Sequence, residues 1–319
     1  MVVLEEKEVR RILTPEVCMK VMRGILADLE EGRCEMPQRL ICSMPNTAVL
    51  GFMPAWVGDA YGAKVIAAYA PNMGTAYPSH IGYVILFEAE HSTVTALVEA
   101  GSVTEIRTGC VSAVATDLLA RKDAHVLALI GAGAQARSHL AAIRLIRPVD
   151  RVCVYDIRPD AARQFAEEVS GLQVSVCGSV REAVRDADII CTLTPSREPF
   201  LSRDMVKPGT HVNAVGTFTP VTREVASDLI AAARLYADHV PACRRESGEY
   251  LIPLQEGMIG EDHVLGSVGG LLTGRVPGRT RDEDITVFDA LGLAVEDVAS
   301  ARAVLRGYCQ AEGRGPGQA

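Results

Sequence analysis

Val126-Leu-Ala-Leu-Ile-Gly131-Ala-Gly133-Ala134-Gln135-Ala136 decides the fold. Five consecutive apolar residues suit a strand buried on both faces, two glycines make a turn, and small residues open a helix. Gly131 supplies the tight turn, Gly133 lets the backbone approach a pyrophosphate, and Ala136 takes the position where a small side chain allows helix and strand to pack closely. The helix start at Ala134 and Gln135 then offers backbone N–H groups and a positive dipole end to the anion. A second strand leads into Asp156, 25 positions after Gly131. An acidic residue near that spacing completes the signature of a dinucleotide site. Its carboxylate suits the ribose 2′-hydroxyl and favours NAD; Arg158, two residues on, could instead hold a 2′-phosphate, so NADP stays open.

Outward from this turn, strands and helices alternate. Strand 126–130 precedes helix 134–146, strand 151–155 precedes helix 159–169, and strand 172–176 precedes helix 179–185; strands 188–193, 210–215 and 234–238 follow. Such alternation predicts a parallel, doubly wound α/β sheet. Thr192 and Thr194 follow the fourth strand, and Val215, Gly216 and Thr217 end the fifth. Both groups lie where open α/β sheets bind ligands, although the hydroxyls would serve equally to cap the turns.

Before this region the pattern differs. Thr14-Pro15-Glu16 opens a helix with an N-cap and a proline at its first position. From about 38 to 100, short apolar runs at 40–42, 49–53, 63–69, 81–87 and 93–98 are separated by turn residues, which predicts consecutive antiparallel or mixed strands in a separate α+β domain. A helix of small residues is expected from 109 to 119. A last helix, from 295 to about 309, is expected to return to the first domain. The domain assignment is therefore 1–117 with 297–319, and 118–296.

With 319 residues, two domains are the expectation. A net charge of −8 and the absence of a basic cluster argue against nucleic acid. Nine cysteines without a Cys-x-x-Cys pair give no reason to expect a metal site or a disulfide framework. Reduced thiols, the lack of a signal-peptide pattern and the lack of a long apolar run lead to the expectation of a cytoplasmic protein with no membrane partner. The tail 313–319 is expected to be disordered.

Seven segments, in order, resemble the ornithine cyclodeaminase/mu-crystallin family across nearly the whole chain. They are Met36-Pro-Gln-Arg39, Gly62-Ala-Lys64-Val, Tyr77-Pro-Ser-His80-Ile-Gly, Thr104-Glu-Ile-Arg107-Thr108, Gly131-Ala-Gly-Ala-Gln-Ala136, Ile252-Pro-Leu-Gln-Glu-Gly257 and Gly278-Arg-Thr-Arg-Asp-Glu-Asp-Ile-Thr286. The resemblance implies an N-terminal substrate and dimerisation domain completed by the C-terminal helix, a Rossmann domain, and a homodimer. It places Arg39 and Arg107 on a substrate carboxylate, a task that a guanidinium fork suits because it binds bidentately and keeps its charge. It places Lys64 facing the active site, where it could donate a proton or polarise the substrate nitrogen or carboxylate and where burial and the two arginines would lower its pKa; an edge-strand lysine that blocks aggregation is the plainer alternative. His80 is a further substrate-side candidate or a neutral loop histidine, Thr217 could hydrogen-bond the substrate, and Thr108 would touch the cofactor. The segment 278–284 reads mainly as a helix start with Thr280 as N-cap and Glu283 three residues on.

One departure bears on the reaction. Cyclodeaminases carry an aspartate in the loop after the fifth strand, and Phe218 aligns with it. Phenylalanine cannot take a proton, which puts deamination and ring closure in doubt but leaves hydride transfer intact. The expectation is an NAD(P)H-dependent reductase of a cyclic ketimine or 2-imino acid. Ornithine cyclodeaminase, a linear amino-acid or opine-type dehydrogenase, and a non-catalytic nucleotide-binding protein remain as alternatives.

Overall fold

A computed structural model describes residues 1–72, 75, 77, 78 and 80–313; the expectation for the tail falls mostly on 314–319, outside the described residues. The chain forms two compact units, Met1–Arg107 with the segment from Leu293 onward, and Thr108–Gly292.

In the first unit β1 (Val2–Leu4), α1 (Glu6–Ile12) and α2 (Pro15–Glu30) precede β2 (Leu40–Ser43), β3 (Val49–Trp56), β4 (Ala60–Ala68), β5 (His80–Glu88) and β6 (Val94–Glu99). Thr14 caps α2 as expected, its hydroxyl accepting from the Val17 N–H at 3.4 Å. The strands form one sheet in the order β1-β6-β5-β4-β3-β2, a meander of antiparallel neighbours to which β1 adds in parallel. Side chains alternate along β3: Met53 and Ala55 are buried, while Leu50, Phe52 and Trp56 are exposed. Period two sorts residues between faces in this way. Lys64 belongs to the buried face, since its register partners Met53 and Val84 are both buried.

Helix α3 (Ala100–Leu119) begins nine residues before the expected start at 109. Glu99 starts it: its carboxylate accepts from the N–H groups of Gly101 at 2.5 Å and Ser102 at 2.8 Å. An acceptor at a helix start satisfies donors that have no intrahelical partner. This early start puts Thr104, Arg107 and Thr108 on a helix.

The second unit holds β7 (Val126–Ile130), α4 (Ala134–Ile143), β8 (Arg151–Tyr155), α5 (Pro159–Glu168), β9 (Gln173–Val176), α6 (Val180–Val184), β10 (Ile189–Thr192), β11 (His211–Ala214), α7 (Ser227–Ala232), β12 (Arg234–Ala237), α8 (Val240–Glu246), α9 (Gly248–Gln255), β13 (Val264–Ser267), α10 (Val268–Leu272) and β14 (Thr286–Asp289). Its eight strands are parallel, in the order β13-β12-β14-β11-β10-β7-β8-β9. The doubly wound Rossmann sheet expected from the alternation is present. Strand order reverses between β7 and β10, and ligands of open α/β sheets bind outside the carboxyl ends of the strands at such a point. Every residue of β7, β10, β11 and β14 is buried, as two-sided helix cover requires.

Segment 278–284 is a turn and not the expected helix start. The Asp284 carboxylate accepts from the Thr280 N–H (3.1 Å), the Thr280 hydroxyl (2.9 Å) and the Arg281 N–H (3.0 Å). Thr280 therefore donates where an N-cap would accept, and strand β14 follows. The closing helix α11 (Ala294–Ala311) belongs to the first unit and packs on α2 and on β3, β4 and β5. The sequence-based junctions at 117/118 and 296/297 fall within α3 and α11.

Candidate functional site

In the second unit the glycine turn has the shape a pyrophosphate needs. Gly131 has φ +104°, a conformation that side chains rarely adopt, and an added Cβ would stand 2.8 Å from the Leu193 carbonyl oxygen beyond β10. The ends of β7 and β10 thus touch at the switch point through a bare glycine. Gly133 caps α4 without a side-chain partner for the first-turn donors, and a Cβ there would meet nothing within 4 Å. Neighbouring protein atoms do not demand that glycine; it leaves an open approach to the helix start. Gln135 adds a buried Oε1 with no hydrogen-bond partner among the described residues. An unpaired buried acceptor is costly unless a ligand or water supplies a donor. These features fit a dinucleotide, with Gly131, Gly133, Ala134 and Gln135 around its phosphates.

Asp156 already braces this turn. Its Oδ2 accepts from the Ala132 N–H at 2.9 Å and its Oδ1 from the Arg158 N–H at 2.8 Å. The Arg158 guanidinium lies 3.6 Å from the same carboxylate and is largely exposed. A carboxylate oxygen can take a second donor, so both tasks, bracing and ribose binding, are open to Asp156.

Glu224 is absent from the candidates that the sequence offers. This fully buried carboxylate accepts from the Thr194 N–H and hydroxyl, both at 2.7 Å, and from the Gly216 N–H at 2.8 Å. Burial pushes its pKa up, while the hydrogen bonds from Thr194 pull it down. A Cβ on Gly216 would collide with Thr194 oxygen at 2.1 Å, so the loops after β10 and β11 are clamped together. Val215 and Gly216 are half-buried there, Thr192 and Thr217 buried, and Phe218 is 51% exposed.

The first unit gathers the other candidates. Lys64 is 3% exposed and its Nζ lies 2.7 Å from Asp297 Oδ2 and 3.4 Å from Thr104 Oγ1. Arg107, 5% exposed, donates from Nε to Asp297 Oδ1 at 3.0 Å and from Nη1 to Glu296 Oε2 at 2.9 Å. Desolvation lowers the Lys64 pKa; Asp297 opposes that and Arg107 adds to it. Burial raises the Glu296 pKa, against the pull of Arg107. His80 heads β5 at the surface, with its pKa lowered by partial desolvation and then by the Lys64 charge. Arg39 is half-buried immediately before β2, and Thr108 half-buried on α3. The structure therefore brings Lys64 and Arg107 together through one carboxylate.

Asp297 and Glu296 are likewise absent from those candidates. A signal was present: an adjacent acidic pair inside Leu293-Ala-Val-Glu-Asp-Val-Ala-Ser300, a stretch in which every residue is buried. Buried acids are almost always paired, so an acidic pair on an apolar segment calls for cations elsewhere in the chain.

Comparison with known proteins agrees with the fold. The model of the ornithine cyclodeaminase/mu-crystallin family matches residues 1–311. Ketimine reductase mu-crystallin of Mus musculus is 38% identical over 277 residues, covering 86% of this chain and 85% of the mouse protein. The structure of Thermococcus litoralis Δ1-pyrroline-2-carboxylate reductase in complex with NADH and L-proline superposes with a TM-score of 0.94 at 31% identity, covering 99% of each chain. An archaeal alanine dehydrogenase dimer with bound NAD superposes with a TM-score of 0.92 at 30% identity, covering 98% of this chain and 97% of the other.

Proposed function

The chain belongs to the ornithine cyclodeaminase/mu-crystallin family, and from that premise we propose that it is an NAD(P)H-dependent reductase of a cyclic ketimine or 2-imino acid, such as Δ1-pyrroline-2-carboxylate, yielding the corresponding amino acid. The observation that carries the proposal is the buried Lys64 ammonium beside Arg107. Reducing an imine requires one hydride at carbon and one proton at nitrogen. The reduced nicotinamide, when bound, supplies the hydride. Lys64 supplies the proton, and a pKa drawn down from the ordinary lysine value brings it nearer the working pH, where proton transfer is efficient. Arg107 and Arg39 hold the substrate carboxylate, and Thr217 and His80 stand by as hydrogen-bonding groups. Orientation by such a clamp is itself a large part of the rate.

NADH is the favoured cofactor, because the Asp156 carboxylate would repel a 2′-phosphate. Thr108, Thr192, Thr194, Val215 and Gly216 complete its surroundings together with the glycine turn and Arg158. The alanine dehydrogenase neighbour is a dimer, and the outer face of the six-stranded sheet supports the same assembly here. Leu40 and Phe52 are register partners, as are Trp56 and Tyr61, and Leu40, Leu50, Phe52, Trp56 and Ile81 are all exposed. A contiguous apolar patch of this kind marks an interaction surface, and a second copy is the partner. No helix among the described residues is long and apolar enough to cross a membrane. Nine free cysteines suit the reducing cytoplasm.

Product analysis tests the proposal. Δ1-Pyrroline-2-carboxylate with NADH should give proline and NAD+, and ornithine with NAD+ should give no ammonia. Ammonia and proline from ornithine without net cofactor consumption would make the chain a cyclodeaminase, and the absence of turnover on a panel of imino acids, with tight NADH binding, would make it a binding protein.

A further inference from the structure

Two cations and two anions form a buried set in the first unit: Lys64, Arg107, Glu296 and Asp297. The two acids are not equivalent. Glu296 accepts from Arg107 and from the Leu293 N–H at 3.2 Å, which closes the first turn of α11. Asp297 alone touches both cations, Lys64 at 2.7 Å through Oδ2 and Arg107 at 3.0 Å through Oδ1. It is fully buried, so neither contact is weakened by solvent.

We propose that Asp297 is a positioning residue for the reduction: it keeps Lys64 charged and aimed, and ties it to the carboxylate-binding Arg107. The inference rests on Lys64 being the proton donor. Desolvation and the like charge of Arg107 both favour a neutral amine at position 64, and Asp297 is the largest influence in the other direction. The groups facing the ammonium are Asp297 and Glu296 from α11, Arg107 and Thr104 from α3, and His80 at the head of β5. During turnover an N–H bond of Lys64 breaks and one forms at the substrate nitrogen. Lys64 is left as a neutral amine and regains its proton from water. A lysine that lost its anion would arrive at the imine without a proton.

The test is the pH dependence of kcat/KM for Asp297→Asn, an isosteric change that removes charge. The limb on which activity falls with rising pH should move down by at least one pH unit, with activity recovering toward wild type as the pH is lowered. At pH 7.5 the loss should be about tenfold or more. Glu296→Gln should move that limb much less. A uniform loss at every pH, or no loss, would overturn the proposal. NMR of ε-13C-lysine and γ-13C-aspartate in the wild-type protein gives a readout independent of turnover and of the variant's folding: the Asp297 signal should shift with the same midpoint as Lys64. A Lys64 titration that leaves Asp297 unmoved would also overturn it. Lys64→Met separates the two ideas. Retained activity in that variant removes the donor assignment itself, whereas its loss together with an unshifted Asp297→Asn profile removes only the role of Asp297.

Discussion

Through one carboxylate oxygen, Glu224 accepts both the N–H and the hydroxyl of Thr194, each at 2.7 Å. Its other oxygen takes the Gly216 N–H at 2.8 Å, so one side chain sets the spacing of two loops assigned to the nucleotide. Glu224→Gln keeps the shape but turns one acceptor into a donor facing an N–H. Leaving a buried donor unpaired costs about 1–3 kcal/mol. NADH affinity, followed by fluorescence well below the melting temperature, should weaken about tenfold, while the KM for the ketimine at saturating NADH should change little. Unchanged NADH binding would contradict the role.

The arginines should separate in their effects. Arg39 lies at a half-buried site, whereas Arg107 is locked to two buried acids. Arg39→Lys should raise the KM for the imino acid at least tenfold with little loss of stability, because a lysine cannot reproduce bidentate carboxylate binding. Arg107→Ala leaves Glu296 and Asp297 facing less positive charge, and breaking a buried pair costs about 3–5 kcal/mol. Steady-state kinetics and thermal melts of both variants check this split.

Two buried histidines should make the second unit sensitive to acid. Desolvation pushes His139 down to about 4 and His211 to about 3. Both rings are tied neutral, His139 to the Gln135 carbonyl and Ser112, His211 to Thr286 and Asn213. Their folded pKa values lie below the unfolded value, so their stabilisation is complete above about pH 6.5 and is lost as the pH falls toward 4 and below. Asp289 acts oppositely: burial raises its pKa to about 6, so it takes up a proton in the folded state as the pH falls below that value. Between pH 6 and 4 these three groups leave the unfolded chain about one proton ahead, a loss of ~1.4 kcal/mol per pH unit. Burial also raises Glu224, Glu249 and Glu296, which act in the direction of Asp289, so the contribution is read by difference: in urea unfolding from pH 6 to 4, Asp289→Asn should lose stability with falling pH more steeply than the wild type.

Phe52 should matter for assembly and not for chemistry. It is 44% exposed on the outer face of the first unit's sheet, opposite Leu40 and Val65 in register, while Lys64 belongs to the inner face. Phe52→Lys should shift the dimer toward monomer in light scattering at micromolar concentration. A wild-type monomer, or a variant dimer of unchanged affinity, would exclude this surface.

Much of this was legible in the chain. Val126–Ile130 with Gly131 and Gly133 announces itself because a buried parallel strand is wholly apolar and its turn needs bare backbone. Lys64 stood out as a charge inside an apolar strand. Strands β13 and β14 were not foreseen: each has four residues, too short to show a period, and β13 contains Gly266. The start of α3 was misplaced because its signal, Glu99, closes a strand that reads as continuous. Glu224 carries no local pattern at all; its partners are 30 and eight residues away, so only the folded loops reveal it. The acids of α11 were visible as residues, but their partners Lys64 and Arg107 lie on distant segments.

The central claim is that hydride reaches the imine carbon of a carboxylate-bearing substrate. The direct measurement is turnover of Δ1-pyrroline-2-carboxylate with NADH deuterated at the nicotinamide C4, with the product examined by NMR. One deuterium at the α-carbon of proline, with none elsewhere on the ring, is the expected result. Folded, nucleotide-binding protein that gives no proline, or proline without deuterium at that carbon from either C4 epimer of the cofactor, would contradict the account.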